Sequence, residues 1–170
     1  FYGDFFARDS KSGGAWMGNF VEQSHEFAAR PVIYNVCNYQ KPANGQAALI
    51  SWDDVVTLFH EFGHTLHGLF ASQRYVTLSG TNTPRDFVEF PSQINEHWAS
   101  HPQVFAHYAR HYETNEPMPD ALRDKMLTAT QFNKGYDMTE LLSAALLDMK
   151  WHGISEAVSS VDAFEAEALK

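Results

Sequence analysis

Hydrophobic and polar positions between residues 51 and 71 follow the period of an α-helix. Apolar side chains recur three or four positions apart, at Val55, Phe59, Phe62, Leu66 and Leu69. At about 100° per residue they form one stripe, and the opposite face carries three histidines, His60, His64 and His67. We therefore predict a helix over 52–71 whose apolar face packs into the core and whose polar face carries the chemistry.

The start of this helix has its own signal. Ser51 is followed three residues later by Asp54, which resembles a capping box. Asp53 and Asp54 also place negative charge in the first turn, where it suits the helix dipole.

Strand patterns dominate the chain before this helix. Residues 1–9 alternate and are rich in Phe and Tyr, and 31–39 are β-branched and aromatic, so both stretches predict strands. The Gly-rich stretch 10–20 is expected to be a turn, and 40–49 is expected to be a loop.

The region after the helix predicts a connection and a second helix. The connection 71–84 has a strand-like core at 75–78. Thr83 is the predicted N-cap of the second helix, with Pro84 at its favoured first position. Pro91 lies inside that helix, where it is expected either to kink the helix or to mark the start of its regular part.

Helical periodicity continues in three further stretches: 101–113, 119–131 and 135–151. The predicted fold class is therefore mainly α, with a small β-sheet at the N-terminal side. We expect part of one domain over 1–170, in three sections: strand-rich 1–50, metal-site helices 52–100 and helical 101–170.

The motif His60-Glu61-Phe62-Gly63-His64 lies on the predicted first helix. Residues four apart sit about one turn apart on the same face, so one metal ion can take a nitrogen from His60 and from His64. Glu61 would project nearby and take a proton from a water that the metal activates, which is the chemistry of HExxH. The alternative is a pair of histidines that merely pack on a buried helix.

Catalytic zinc typically takes three protein ligands, and Glu89 is the best third candidate. It lies 25 residues after His64, next to Val88 and Phe90, where a carboxylate is costly unless paired or bound to a metal. An exposed carboxylate on a helix face is the alternative. Three more residues are candidates for orienting the ligands by hydrogen bonds: Gln93, Glu96 and His67.

Composition and charge narrow the function classes. The net charge of −9 and the pI of about 5.4 argue against nucleic acid as a partner. There is no apolar run of 18 residues, so no membrane span is predicted, and the single Cys37 allows no internal disulfide. A cytoplasmic location is expected, with the periplasm as the alternative, and the absence of a visible signal peptide favours neither. The chain opens in a strand without Met, and we expect it to be a piece of a longer protein.

Three stretches carry a specific resemblance: HEFGHTLH, SGTNTPRDFVEFPSQINEHWA and FNKGYDMTELLSAALLDMKWH. They resemble the catalytic region of the thimet oligopeptidase family of zinc peptidases, and the similarity covers essentially the whole chain. FYGDFFARDSKSGGAWMGNF and PVIYNVCNYQKP are similar, more narrowly, to its bacterial dipeptidyl carboxypeptidase branch. The resemblance implies one zinc ion on His60, His64 and Glu89, with Glu61 as the catalytic base.

The resemblance also implies a fold and a substrate class. It implies part of a zincin-like catalytic core, largely helical, beside a channel that admits short peptides. That branch removes dipeptides from free C-termini, whereas an endo-oligopeptidase of the same family is the first alternative. A non-catalytic helical module, stabilised by zinc or purely structural, is the alternative of another class.

The chain departs from the family pattern at its end. Members of the family place a His and Tyr motif, whose side chains donate hydrogen bonds to the reaction's oxyanion, after the helix that ends this resemblance. The chain stops before that motif, and losing one such donor typically costs about 10²–10³ in rate. We therefore expect this chain alone to bind zinc weakly and to hydrolyse peptides poorly.

Overall fold

The computed structural model describes residues 1–170 and is mainly helical, with one small sheet. This confirms the predicted fold class at that level. The chain divides into two compact units, Phe1–Met118 and Pro119–Lys170, and each is described by itself. The expectation of a single domain over 1–170 stays a prediction.

The first unit begins with a three-stranded sheet. Its strands are β1 (Tyr2–Phe6), β2 (Trp16–Val21) and β3 (Val32–Tyr39). The spatial order is β1-β3-β2, with β1 parallel and β2 antiparallel to β3. The central strand β3 is the most buried, and Ile33 and Cys37 on it are almost fully enclosed.

The expectation of a turn over 10–20 was wrong for its second half. Trp16 and Met17 begin β2, and only the residues before them form the turn. The glycines of this stretch have two different uses. Gly14 has a φ of 94° in the turn, whereas Gly18 lies within β2, where a Cβ would come 2.4 Å from the ring of Tyr34. Glycine in a strand interior therefore marked close packing rather than a turn.

Four helices complete the first unit: α1 (Trp52–Leu69), α2 (Arg85–Val88), α3 (Phe90–Ser100) and α4 (Pro102–Tyr108). The capping box at the start of α1 is confirmed. Ser51 Oγ accepts from the Asp54 backbone N–H at 3.1 Å, and the Asp54 carboxylate accepts from the Ser51 N–H at 3.1 Å. The helix ends two residues earlier than predicted.

The predicted apolar stripe is not the most buried face of α1. Phe62 and Leu69 are 38% and 36% exposed, whereas the buried positions are Glu61, Gly63, Thr65 and Gly68. The reason is that α1 packs between the sheet and α3, and both neighbours come very close. Small and polar residues therefore occupy the buried faces, and the larger apolar side chains lie beside them.

One buried hydrogen bond ties α1 to the sheet. Thr65 Oγ1 donates to Asn35 Oδ1 on β3 at 2.6 Å, and both residues are fully buried. At Gly68, one turn further on, a Cβ would come 2.5 Å from Ile33 Cδ1. The sheet therefore meets α1 at close range over this turn.

The second helix differs from the prediction. The stretch 75–78 contains a 3-10 turn, Val76–Leu78, rather than a strand. Pro84 takes the N-cap position of the four-residue α2, and the buried Thr83 hydroxyl forms no capping bond. Pro91 marks the start of the regular part, as one of the two expectations had it, because α3 begins at Phe90 and Pro91 lies in its first turn.

The predicted helix over 101–113 is shorter in the structure. α4 ends at Tyr108, and Arg110 instead pairs with Pro117 in an isolated antiparallel bridge. Asn115, between them, has a φ of 58°, so this segment turns back instead of continuing the helix.

The second unit is helical throughout. It contains α5 (Asp120–Ala129), α6 (Lys134–Gly153) and α7 (Val161–Ala168), so two further predicted helices are confirmed with small changes at their ends. Trp151 on α6 packs against Phe164 on α7, with ring centroids 4.1 Å apart. None of the helices of the chain has the length and apolar character that a membrane crossing requires.

The Thr65–Asn35 bond yields a stability prediction. Thr65→Val removes the donor and leaves a buried amide oxygen without a partner, so the free energy of unfolding should fall by about 1–3 kcal/mol. Urea unfolding followed by tryptophan fluorescence measures it. Thr139→Val is the matched control, because Thr139 is exposed on α6 and bonds only the Gly135 carbonyl. Equal effects at the two threonines would contradict the proposed importance of the buried bond.

Candidate metal centre and active site

Three side chains converge beside the sheet, two from α1 and one from the junction of α2 and α3. His60 and His64 lie one turn apart on α1, with ring centroids 5.0 Å apart. Glu89 stands between α2 and α3, and its Oε2 lies 3.2 Å from His60 Nε2 and 3.1 Å from His64 Nε2. The structure thus brings the three predicted ligands together, with one ligand atom of each within 4.8 Å of the others.

The spacing of these atoms fits a divalent metal. Tetrahedral zinc with bonds of about 2.0–2.2 Å separates its ligand atoms by about 3.3–3.6 Å. The two nitrogen-to-oxygen distances here are a few tenths of an ångström shorter, so a small outward movement would give that spacing. Two imidazoles and one carboxylate are also a donor set typical of catalytic zinc.

Glu61 lines the same cavity without joining the three-residue cluster. It is only 7% exposed, and its Oε2 is buried with no hydrogen-bond partner. Burial raises the pKa of Glu61, and the charge of Glu89 adds to this, whereas His60 opposes it. A carboxylate on the wall of a cavity is suited to accept a proton from a bound molecule.

The pKa values of His64 and Glu89 shift in the opposite direction to that of Glu61, because both are lowered. Burial lowers the pKa of His64, which favours the neutral imidazole that a metal needs. For Glu89, burial would raise the pKa, but the Ser92 hydrogen bond and the charges of His64 and His60 outweigh it and lower the pKa. Both shifts favour the protonation states in which these side chains bind metals.

Glu96 on α3 is the predicted supporting residue that does contact a ligand. Its Oε1 lies 2.6 Å from His60 Nδ1, so the carboxylate accepts a hydrogen bond from that nitrogen. A hydrogen bond from Nδ1 to this carboxylate directs the other ring nitrogen, Nε2, toward Glu89, as a metal ligand requires. His64 Nδ1, by contrast, is buried without a partner among these residues.

Gln93 and His67 have different surroundings. Gln93 is exposed on α3, and its side chain forms no hydrogen bond with the cluster. His67 packs edge-on against Phe87 at 6.1 Å and lines a second, mostly apolar cavity together with Phe90 and Ile94. Their supporting role stays a prediction that no contact in the structure favours.

The sequence did not predict the close approach of α3 to α1. Nothing in the sequence near Gly63 explains why a glycine stands inside a helix. A Cβ at Gly63 would lie 2.6 Å from Ser92 Cα and 2.8 Å from the Pro91 carbonyl oxygen. Glycine alone leaves room for this contact. Because Glu89 immediately precedes α3, the contact at Gly63 sets how near Glu89 comes to the histidines.

Two further residues of α3 were also missed. Asn95 Nδ2 donates to the Phe59 carbonyl oxygen on α1 at 2.6 Å, and Ser92 Oγ donates to Glu89. A serine and an asparagine in a helix carry no recognisable signal by themselves. Only their spacing from Glu89, three and six positions on, could have suggested a role on this face.

The cluster opens into a cavity of about 380 Å³. Besides His60, His64, Glu61 and Glu89, the cavity is lined by residues of the sheet edge, the connection and α2: Ala15, Trp16, Met17, Thr81 and Val88. Gln23 fixes the start of the connection 71–84. Its side chain accepts a hydrogen bond from the Gln73 N–H at 2.8 Å and donates one to the Gln73 carbonyl oxygen at 3.1 Å.

Comparison with known proteins decides the family. The model of peptidase family M3 matches residues 1–168. The chain belongs to peptidase family M3. Its members are generally metallopeptidases, and the predicted resemblance to a metallopeptidase family is thereby confirmed.

The chain is similar to two kinds of peptidase, dipeptidyl carboxypeptidases and oligopeptidase A. The chain is 75% identical to the dipeptidyl carboxypeptidases of Escherichia coli (strain K12) and of Salmonella typhimurium, over 99% of its own length. It is 42% identical to oligopeptidase A of Escherichia coli over 89% of its length. The chain spans only about a quarter of each relative, 25% of the carboxypeptidases and 23% of the oligopeptidase.

The contact at Gly63 yields a second prediction. Gly63→Ala places a methyl group against backbone atoms of α3, which must move away, so unfolding should cost about 1–3 kcal/mol less. When α3 moves, Glu89 should move away from the two histidines with it, and the affinity for the metal should therefore fall. Urea unfolding and chelator competition measure the two effects.

The control for Gly63→Ala is Gly135→Ala on α6, where nothing lies within 4 Å of the added methyl group. There the better helix propensity of alanine should leave stability unchanged or raise it by up to about 1 kcal/mol. If Gly63→Ala changes neither the stability nor the metal affinity, then α3 is not held in place by the contact at Gly63.

Proposed function

We propose that the protein containing this chain is a zinc-dependent peptidase that releases dipeptides from the free C-termini of short peptides. The observation that carries the proposal is the convergence of His60, His64 and Glu89 around one point, with Glu61 on the wall of the same cavity. Membership of family M3 and the 75% identity to two dipeptidyl carboxypeptidases support it.

His60, His64 and Glu89 would hold the zinc ion, and Glu96 would orient His60. Zinc bound there supplies a Lewis acid that polarises the scissile carbonyl and makes water more acidic. Glu61 would accept the proton of the attacking water, because its carboxylate lies on the wall of the cavity beside the three ligands without being one of them. The raised pKa of Glu61 then suits it to pass the proton to the leaving amine.

The sheet supports a peptide substrate next to these groups. β2 is an edge strand, and its first residues, Trp16 and Met17, line the cavity together with Ala15. An extended peptide can pair with an exposed strand edge through main-chain hydrogen bonds, which accept any side-chain sequence. Such pairing would lay a scissile bond across the cavity beside Glu61.

An endo-oligopeptidase is the second candidate, favoured by the 42% identity to oligopeptidase A. The two candidates share the chemistry at Glu61 and differ in what they require of the substrate's C-terminus. A non-catalytic, zinc-stabilised module would have no use for the unpaired Glu61 carboxylate. Each alternative therefore makes its own prediction.

Glu61→Gln tests the base in the protein at its full natural length. The amide cannot accept the proton, so turnover should fall by about 10²–10⁴-fold, while zinc stays bound because Glu61 is not a ligand. Elemental mass spectrometry measures zinc per chain, and a peptide assay measures turnover. Glu89→Ala is the matched control, expected to lose zinc and turnover together. Turnover that persists in Glu61→Gln would mean that Glu61 is not the base.

Blocking the ends of a test peptide separates the two peptidase candidates. Amidation of the C-terminus removes the carboxylate, so a dipeptidyl carboxypeptidase should stop cleaving, whereas an endopeptidase should cleave at a similar rate. The same peptide acetylated at its N-terminus serves as the control, since neither candidate should be affected. Mass spectrometry of the products identifies the bond cut, and cleavage of the amidated peptide would favour the endo-oligopeptidase.

A further inference from the structure

Glu89 is the least constrained of the three proposed ligands. Its side chain is 50% exposed, compared with 25% for His60 and 12% for His64. It also stands outside both helices, between the last residue of α2 and the first residue of α3. A glutamate side chain on such a junction can turn about several bonds, and holding it in one orientation costs conformational entropy.

One buried hydroxyl contacts the carboxylate directly. Ser92 Oγ lies 2.9 Å from Glu89 Oε2 and 2.9 Å from the Glu89 carbonyl oxygen. The oxygen that Ser92 contacts is the same Oε2 that lies 3.1 Å and 3.2 Å from the two histidine nitrogens. A carboxylate oxygen has two lone pairs, so it can accept from Ser92 and still face the metal position.

Ser92 is itself held in place. It is fully buried, and its Cα lies against Gly63, on the same helix as both histidines. The Asn95 bond to the Phe59 carbonyl fixes the next turn of α3 to α1. The hydroxyl is therefore fixed relative to His60 and His64, although Glu89 is not.

We propose that Ser92 is a positioning residue that holds the Glu89 carboxylate toward His60 and His64 through a hydrogen bond to Oε2. The proposal rests on the zinc site of the proposed function. The other contact of Ser92, with the Glu89 carbonyl, suggests a different role, that of stabilising the first turn of α3. Metal affinity separates the two roles, because a turn-stabilising residue affects stability and leaves the metal in place.

The test is the zinc affinity of Ser92→Ala in the full-length protein, measured by competition with a chromophoric chelator. Removing a residue that orients a ligand typically weakens metal binding 10–100-fold, and we expect a loss in that range. Ser79→Ala is the matched control. Ser79 is equally buried but donates to Gln23, so its loss should leave zinc affinity unchanged while lowering stability.

A double-mutant cycle tests whether Ser92 acts through Glu89. A Glu89→Ala background keeps only the weak residual zinc affinity of the two histidines. In that background Ser92→Ala should cause no further loss of this residual affinity, because the group that it orients is gone. Unchanged affinity in Ser92→Ala, or an equal loss in both backgrounds, would overturn the proposal. Absence of zinc binding in the unmodified protein would instead contradict the proposed function itself.

Two further variants keep the test decisive. Ser92→Thr retains the hydroxyl and should keep the affinity of the unmodified protein. Ser92→Gly also removes the hydroxyl but has a smaller volume than alanine, so the two variants separate the effect of the hydroxyl from the effect of volume. If the zinc affinity of the variants depends on the volume of the side chain at position 92, and not on the presence of a hydroxyl, then Ser92 acts only through packing.

Discussion

The close contact between α1 and α3 is the constraint on which the rest of the site depends. Two histidines on a helix need a third group from elsewhere in the chain, and Glu89 reaches them because α3 comes within van der Waals distance of α1 at Gly63. Glu96, Ser92 and Asn95 all lie on α3, which begins directly after Glu89. This helix therefore supplies the groups that contact Glu89 and His60 and the hydrogen bond that fixes it to α1.

The interfaces of α1 are polar to an unusual degree for a helix in the middle of a unit. Toward the sheet it offers Thr65, which bonds Asn35, and toward α3 its Phe59 carbonyl accepts from Asn95. Sliding α1 by one residue in either direction would separate these partners and leave polar groups buried and unpaired. Buried hydrogen bonds of this kind specify one arrangement, where apolar contacts alone would tolerate several.

Patterns within a short stretch of sequence predicted the features that depend on neighbouring residues alone. The histidine spacing and the Ser51 capping box follow from helix geometry, and both were correct. The choice of Glu89 needed the family resemblance as well, because nothing within α1 specifies a partner 25 residues away. The errors share a physical cause. The turn over 10–20 and the stripe at Phe62 and Leu69 were predicted from turn and helix propensity, whereas close packing of Gly18 against Tyr34 and of α1 against the sheet determines the environment of these residues.

The break between α2 and α3 lies at Glu89. Glu89 is oriented by residues that follow it, on α3, and α2 before it is a single short turn. The segment from Glu89 to Asn95 therefore behaves as one structural unit, in which the carboxylate, its hydrogen-bond donor and the bond to α1 are encoded within seven consecutive residues.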